Sequence, residues 1–296
     1  MSWQLLISAS VLLNTASYLI YRLLAKVNRS KSASLAIPAS LYFAQIFAVL
    51  VYLALNPHVD MAKVASFWYL IALGGIGFGF ANFFLYKLLN YLDSGISSLL
   101  GMLNVLFTVL FAYLILHEKL SYIQLAGSVL MLVAVAYALL VASQPGKHRL
   151  HSRAWSYGLG FALLAGVFYG AAAVNEKYLI EHLSFGAYLV FGWGAQIVGA
   201  QLLPIVFQPS SYKVLKNLKI FCLSMAGGGL RGFSGLLYLL ALKRSNNVSL
   251  MQVVLNLRFI LIILFGAWLL HEHHKLKQKL AAALVSVVGL TILLWK

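Results

Sequence analysis

Only six acidic residues stand against 22 Lys and Arg in this 296-residue chain, and there is one cysteine. A single thiol, Cys222, excludes an internal disulfide and any multi-cysteine metal or iron–sulfur site, and its expected role is packing. No polar stretch is long enough to build a soluble domain. No GxxxxGK[ST] motif is present, so the chain holds no ATP-driven pump. Gly74-Gly75-Ile76-Gly77-Phe78-Gly79 has the look of a dinucleotide loop, but it lies in an apolar helix with no strand before it. The run His271-Glu272-His273-His274 lacks HExxH spacing, and neighbouring histidines on a helix do not share a face. No nucleophile is paired with an oriented base. The sequence therefore predicts no enzyme, no metal and no cofactor. Residues 1–24 also lack a basic n-region and a small-residue cleavage site, so the first apolar segment is expected to stay in the protein.

What fills the chain is hydrocarbon. Hydrophobic residues make up 62% of it and charged ones 9%. Runs of about 20 apolar residues span a bilayer as helices, since the hydrocarbon is about 30 Å thick and a helix rises about 1.5 Å per residue. The net charge of +16 would suggest nucleic acid in a soluble protein. Here it reads as basic loops against anionic lipid headgroups.

The sequence predicts an all-α integral membrane protein with ten transmembrane helices: 3–24, 35–55, 66–91, 94–116, 121–141, 155–179, 184–207, 219–243, 247–270 and 276–295. Asn56-Pro57 ends the second. Ser121-x-x-Gln124 is a capping box that starts the fifth. Pro209-Ser210-Ser211 separates the seventh from the eighth.

One stretch occurs twice. Residues 94–140 lie over residues 248–294 at a shift of 154 (248 less 94), matching at Leu103/Leu257, Phe111/Phe265, Leu116/Leu270, His117/His271, Glu118/Glu272 and Gln124/Gln278. The repeat divides the chain into a first five-helix unit, 1–141, a basic linker, 142–154, and a second unit, 155–296. Five helices per unit is an odd number, so the second must be inverted. Inverted repeats place a substrate site near the midplane between the halves.

These residues resemble a known family. Leu114-Ile115-Leu116-His117-Glu118-Lys119-Leu120-Ser121, echoed as Trp268-Leu269-Leu270-His271-Glu272, is similar to the signature of the drug/metabolite transporter superfamily, in its EamA branch. The resemblance implies a secondary transporter of small metabolites, commonly an exporter, in the cell membrane. Two places depart from it. Asn104-Val105 and Arg258-Phe259 stand where the family often has an acidic-Pro pair, and His117 and His271 stand where it usually has Gly.

Polar groups within the helices mark the candidate site. An ionised side chain at midplane costs about 2.5–3.5 kcal/mol even on the lenient insertion scale, so each needs a reason. Arg258 is expected in the middle of the ninth helix, some 16 Å from either surface by helical rise, with Arg231 similarly placed in the eighth. A guanidinium binds carboxylate or phosphate in a bidentate fork. Asn14, Tyr18, Asn82, Asn104, Asn175, Gln252 and Asn256 complete the expected substrate site, and interhelical hydrogen bonding is the alternative role for each. Gln196, Tyr86, Tyr169, Trp193 and Tyr238 are further polar or aromatic candidates along a pathway. All six acids fall near helix ends, which predicts little dependence on a proton gradient. Glu176, beside Lys177, comes closest to the interior, and an ion pair between the two accounts for it.

Basic residues divide fourteen to six in favour of the loops after odd-numbered helices, which points both termini outward; the family usually has them in the cytoplasm. The reading is a carrier of a small anionic or zwitterionic organic metabolite, with export as its direction, working by alternating access. Its partners are a small-molecule substrate and the lipid bilayer, no nucleic acid, with homodimer formation left open. A multidrug or cationic-metabolite exporter is the alternative in the same class. A membrane-embedded enzyme or lipid-binding scaffold is the alternative outside it.

Overall fold

A computed structural model describes residues 2–28, 30–116, 121–143, 152–245, 254–255, 257–273 and 275–293. Among them there are helices and turns but no strand. The helices are α1 (Trp3–Val27), α2 (Lys31–Phe43), α3 (Ile46–Leu55), α4 (Trp68–Tyr91), α5 (Ser94–Leu100), α6 (Leu103–Leu116), α7 (Tyr122–Ser143), α8 (Ser152–His182), α9 (Trp193–Phe207), α10 (Leu218–Ser245), α11 (Arg258–Leu270) and α12 (Leu276–Leu293). A π-helical turn, Tyr188–Gly192, leads into α9. Seven segments are long and apolar enough to cross a membrane, α2 with α3 and α5 with α6 each counting as one. The remaining three, α7, α11 and α12, occupy the places of the expected fifth, ninth and tenth spans.

The helices start where local chemistry dictates. Ser2, Ser30 and Asp93 cap α1, α2 and α5 by accepting from Leu5, Ala33 and Ile96 backbone N–H groups. Their apolar faces have no water to leave once inside a bilayer, so helix contacts rest on close packing. Glycine makes the closest approach. A Cβ on Gly75 of α4 would lie 2.2 Å from the Ala195 carbonyl oxygen of α9, and one on Gly228 of α10 would lie 2.1 Å from the Leu41 carbonyl oxygen of α2. Leu41 and Ala195 are 154 residues apart, so the same helix crossing is built once in each direction between the halves.

Hydrogen bonds and ring contacts fix the helix directions. Against α4, α8 runs antiparallel: Asn175 bonds the Leu70 carbonyl, Phe80 stacks on Phe168, and Tyr91 meets Tyr157. Its counterpart α1 runs antiparallel to α10 through Ser10–Ser234 and Ser17–Gly227. The C-terminal part of α1 meets that of α4, where Arg22 donates to the Leu89 carbonyl. The C-terminal part of α8 meets the N-terminal part of α4 instead. The repeat-related helices α1 and α8 therefore point in opposite directions, as an inverted repeat requires.

Two expectations need correction. The fourth span is not one helix but two, broken at Gly101-Met102 between α5 and α6. The ninth is not continuous over 247–270: Leu257 is a turn, and α11 begins at Arg258. Asn104 bonds back to Gly101 and Leu257 back to Val254 at the two breaks, which lie within one residue of each other under the repeat. Arg258 thus stands at a helix N-terminus rather than mid-helix. Cys222, expected to pack, is exposed.

Candidate functional site

The space between the halves holds two arginines from α10 and α11. Both are half-buried. Arg231 Nη1 donates to Asn82 Oδ1 at 2.7 Å and Nη2 to the Tyr42 hydroxyl at 3.2 Å, with its guanidinium carbon 4.8 Å from the Tyr42 ring centroid. That is a cation–π geometry. Arg258 Nη1 donates to Asn14 Oδ1 at 3.0 Å. Each partner is a neutral group of the first half. Among the described residues neither arginine pairs with a carboxylate. The two guanidiniums lie within electrostatic range of each other, and Tyr169 of α8 lies within range of both.

One more expected residue, Tyr18, gathers there, and a second, Asn104, has a side-chain oxygen buried and unpaired elsewhere among the described residues. The Tyr18 hydroxyl is near Arg258 and Arg22 and is buried without a partner among the described residues. Asn104 Oδ1 is likewise buried and unmet. It occupies the first turn of α6, as Arg258 does that of α11. A carbonyl oxygen left unpaired in the interior costs about 1–3 kcal/mol, so such atoms mark places that water or a bound solute visits.

Asn175 does not belong to this group. Its amide donates to the Leu70 carbonyl at 2.7 Å, and it faces a cavity between α4, α8 and α9. Gln252 and Asn256 lie outside the described residues. Tyr86 packs in a buried cluster with Tyr21 and Leu89, and its hydroxyl bonds the Asn28 carbonyl at 3.4 Å. Its role is structural.

Lys177 is exposed, while Glu176 accepts a hydrogen bond from the Tyr188 hydroxyl. Tyr188 in turn lies 3.4 Å from Gln196 Nε2. These groups and Asn175 line a small cavity.

Sequence reasoning missed a polar network at one end of the bundle. Arg22 Nε and Nη2 both reach Glu272 Oε1 at 2.9 Å, and Glu272 Oε2 accepts from the backbone N and hydroxyl of Ser94 at 2.7 and 2.6 Å. Lys279 Nζ meets Asp93 Oδ2 at 2.9 Å, and Lys26 Nζ donates to the Leu270 carbonyl at 3.2 Å. Every one of these bonds crosses from one half to the other. The signal in the sequence was Glu272 itself, the repeated signature acid. The repeat does not carry the same charges: under the 154-residue shift Arg22 falls on Glu176 and Glu272 on Glu118, two acids.

A helical chain with inverted repeats, discontinuous helices and cations between its halves is the architecture of a multi-pass membrane transporter. Residues 1–140, just under half of the chain, match the EamA-like transporter family. That family is one of transporters, so a small-molecule substrate, the cell membrane and the absence of enzymatic chemistry follow at the level of the family. The chain is also similar to a protein solved by crystallography, with a TM-score of 0.61 at 16% identity over 97% of this chain and 96% of that one. At that identity the likeness concerns the fold alone. No curated protein matches the sequence.

Proposed function

We propose that the protein carries a small organic anion or zwitterion across the cell membrane, in the direction of export. The halves 1–141 and 155–296 rock against each other around a site formed by Arg258, Arg231, Asn14, Asn82, Tyr18 and Asn104. The observation that carries this reading is Arg258 at the first residue of α11. A helix N-terminus is already positive, and a cation placed on it is unfavourable. Neutral amides relieve neither charge. A solute carboxylate or phosphate would relieve both, because it meets the guanidinium fork and the free N–H groups of the helix start together.

The latch of Arg22, Glu272, Asp93 and Lys279 would close one end while the other opens. A thermal-shift screen of the purified protein tests the substrate class, with inorganic phosphate, carboxylate metabolites and tetraphenylphosphonium as probes. Anions should raise the melting temperature, and Arg258→Ala should remove that effect while the protein stays folded. Stabilisation by tetraphenylphosphonium alone would favour the multidrug reading instead.

A further inference from the structure

One guanidinium is enough to hold one carboxylate, and the space between the halves contains two. Their depth in the bundle is set by the register of α1 on α10. Ser10 bonds Ser234 and Ser17 bonds the Gly227 carbonyl, so the helices run antiparallel with Asn14 level with Leu230 and Arg231. Asn14 is the group that receives Arg258. Both arginines are therefore held at one depth, near the middle of α1 and of α10. They are close enough for the charge of Arg231 to act on Arg258.

Nothing acidic around them offsets this pair. The ionisable neighbours within electrostatic range are tyrosines: Tyr21, Tyr42 and Tyr169 about Arg231, and Tyr18, Tyr169 and Tyr238 about Arg258. An ordinary phenol is neutral below about pH 10. Among the described residues no carboxylate pairs with either guanidinium. Asn82, Tyr42 and Asn14 accept one hydrogen bond each and leave both positive charges in place.

Donors remain as well as charge. Among the described residues Arg258 Nε and Nη2 meet no acceptor, and neither does Arg231 Nε. Tyr18 stands four residues along α1 from Asn14, on the same face of the helix. Its hydroxyl is buried without a partner among the described residues.

We propose that the site takes a solute whose head carries two negative charges on one centre, as a phosphate monoester does, and that Arg231 sets this count. The proposal rests on the anion reading of Arg258. Arg258 and the N–H groups at the start of α11 bind the head. Arg231, held against the Tyr42 ring and by Asn82, supplies the second charge. A tetrahedral head points oxygens in several directions, so forks arriving from two helices can each find one. A zwitterion is the poorer fit, because its ammonium enters a field already positive twice over. Where water screens poorly, the second charge on the solute should raise affinity by about tenfold or more.

Inorganic phosphate tests this without knowledge of the rest of the solute. Its second proton comes off near neutrality, so it is mostly a dianion at about pH 8 and mostly a monoanion at about pH 5.5. Sulfate has the same shape and is a dianion at both; methanesulfonate is a tetrahedral monoanion at both. Dissociation constants are measured by titration calorimetry on the purified full-length protein in a low-chloride buffer. The wild type should bind phosphate about tenfold or more tightly at the higher pH, hold sulfate equally at both, and favour sulfate over methanesulfonate by a similar factor. In Arg231→Gln the preference for the dianion should disappear while methanesulfonate still binds. Phosphate binding that ignores pH, or equal affinity of the wild type for sulfate and methanesulfonate, overturns the proposal and leaves the anion reading intact. Full preference for the dianion in Arg231→Gln overturns the role given to Arg231. Binding of none of the three removes the anion reading itself, and the proposal with it.

Discussion

Arg22 and Glu272 lie 250 residues apart in the chain, yet two guanidinium nitrogens of one converge on a single carboxylate oxygen of the other. The second carboxylate oxygen is taken up by Ser94. Both side chains are nearly closed to solvent, at 8% and 9% exposure, so screening by water and salt is weak. The ion pair ties the end of the first helix to the hinge between the last two.

Removing one partner leaves the other charged and buried. Glu272→Ala is expected to lower stability by about 3–5 kcal/mol, read as a drop in melting temperature. If the pair also holds that end shut, Ser94→Cys in a Cys222→Ser background should react faster with a membrane-impermeant thiol reagent when Glu272 is replaced. Equal reactivity with and without Glu272 would reduce the pair to a structural brace.

Asp93 has two roles that can be separated. It caps α5 through Ile96 N at 2.9 Å and pairs with Lys279, which is 2% exposed. Asp93→Asn keeps a capping oxygen and loses the charge. Asp93→Ala loses both and should be less stable than Asp93→Asn by about 1 kcal/mol. Thermal unfolding of the two variants in detergent checks the order.

The glycine crossings tolerate no side chain. Gly75→Leu on α4 and Gly228→Leu on α10 should each cost about 1–3 kcal/mol or more through overpacking. Gly194, where a Cβ meets nothing within 4 Å, should accept Ala with little change. Similar losses at Gly194 and Gly75 would contradict the packing described for α4 and α9.

The repeat, its inversion and the two arginines were legible in the sequence because each leaves a mark on residue type: His-Glu at a fixed shift, an odd helix count, a charge inside hydrocarbon. The breaks at Gly101 and Leu257 were not, since Leu and Met serve turn and helix alike and neither place carries a proline. The bond from Tyr188 to Glu176 was not legible, because the two lie far apart in sequence. Only the fold of the π-turn brings the tyrosine back to the carboxylate. Asn175 was counted with the arginines because it is polar and within a span. Its hydrogen bond to Leu70 shows that it serves the other cavity.

The central claim is that Arg258 receives an anionic solute between the halves, and net uptake into proteoliposomes tests it most directly. Radiolabelled carboxylate and phosphate metabolites are compared with radiolabelled tetraphenylphosphonium, for wild type, Arg258→Lys and Arg258→Ala. The account predicts accumulation of an anion by the wild type, partial transport by Arg258→Lys, whose point charge replaces a planar fork, and none by Arg258→Ala. Uptake of the cation without the anion, or anion uptake that persists in Arg258→Ala, would contradict it.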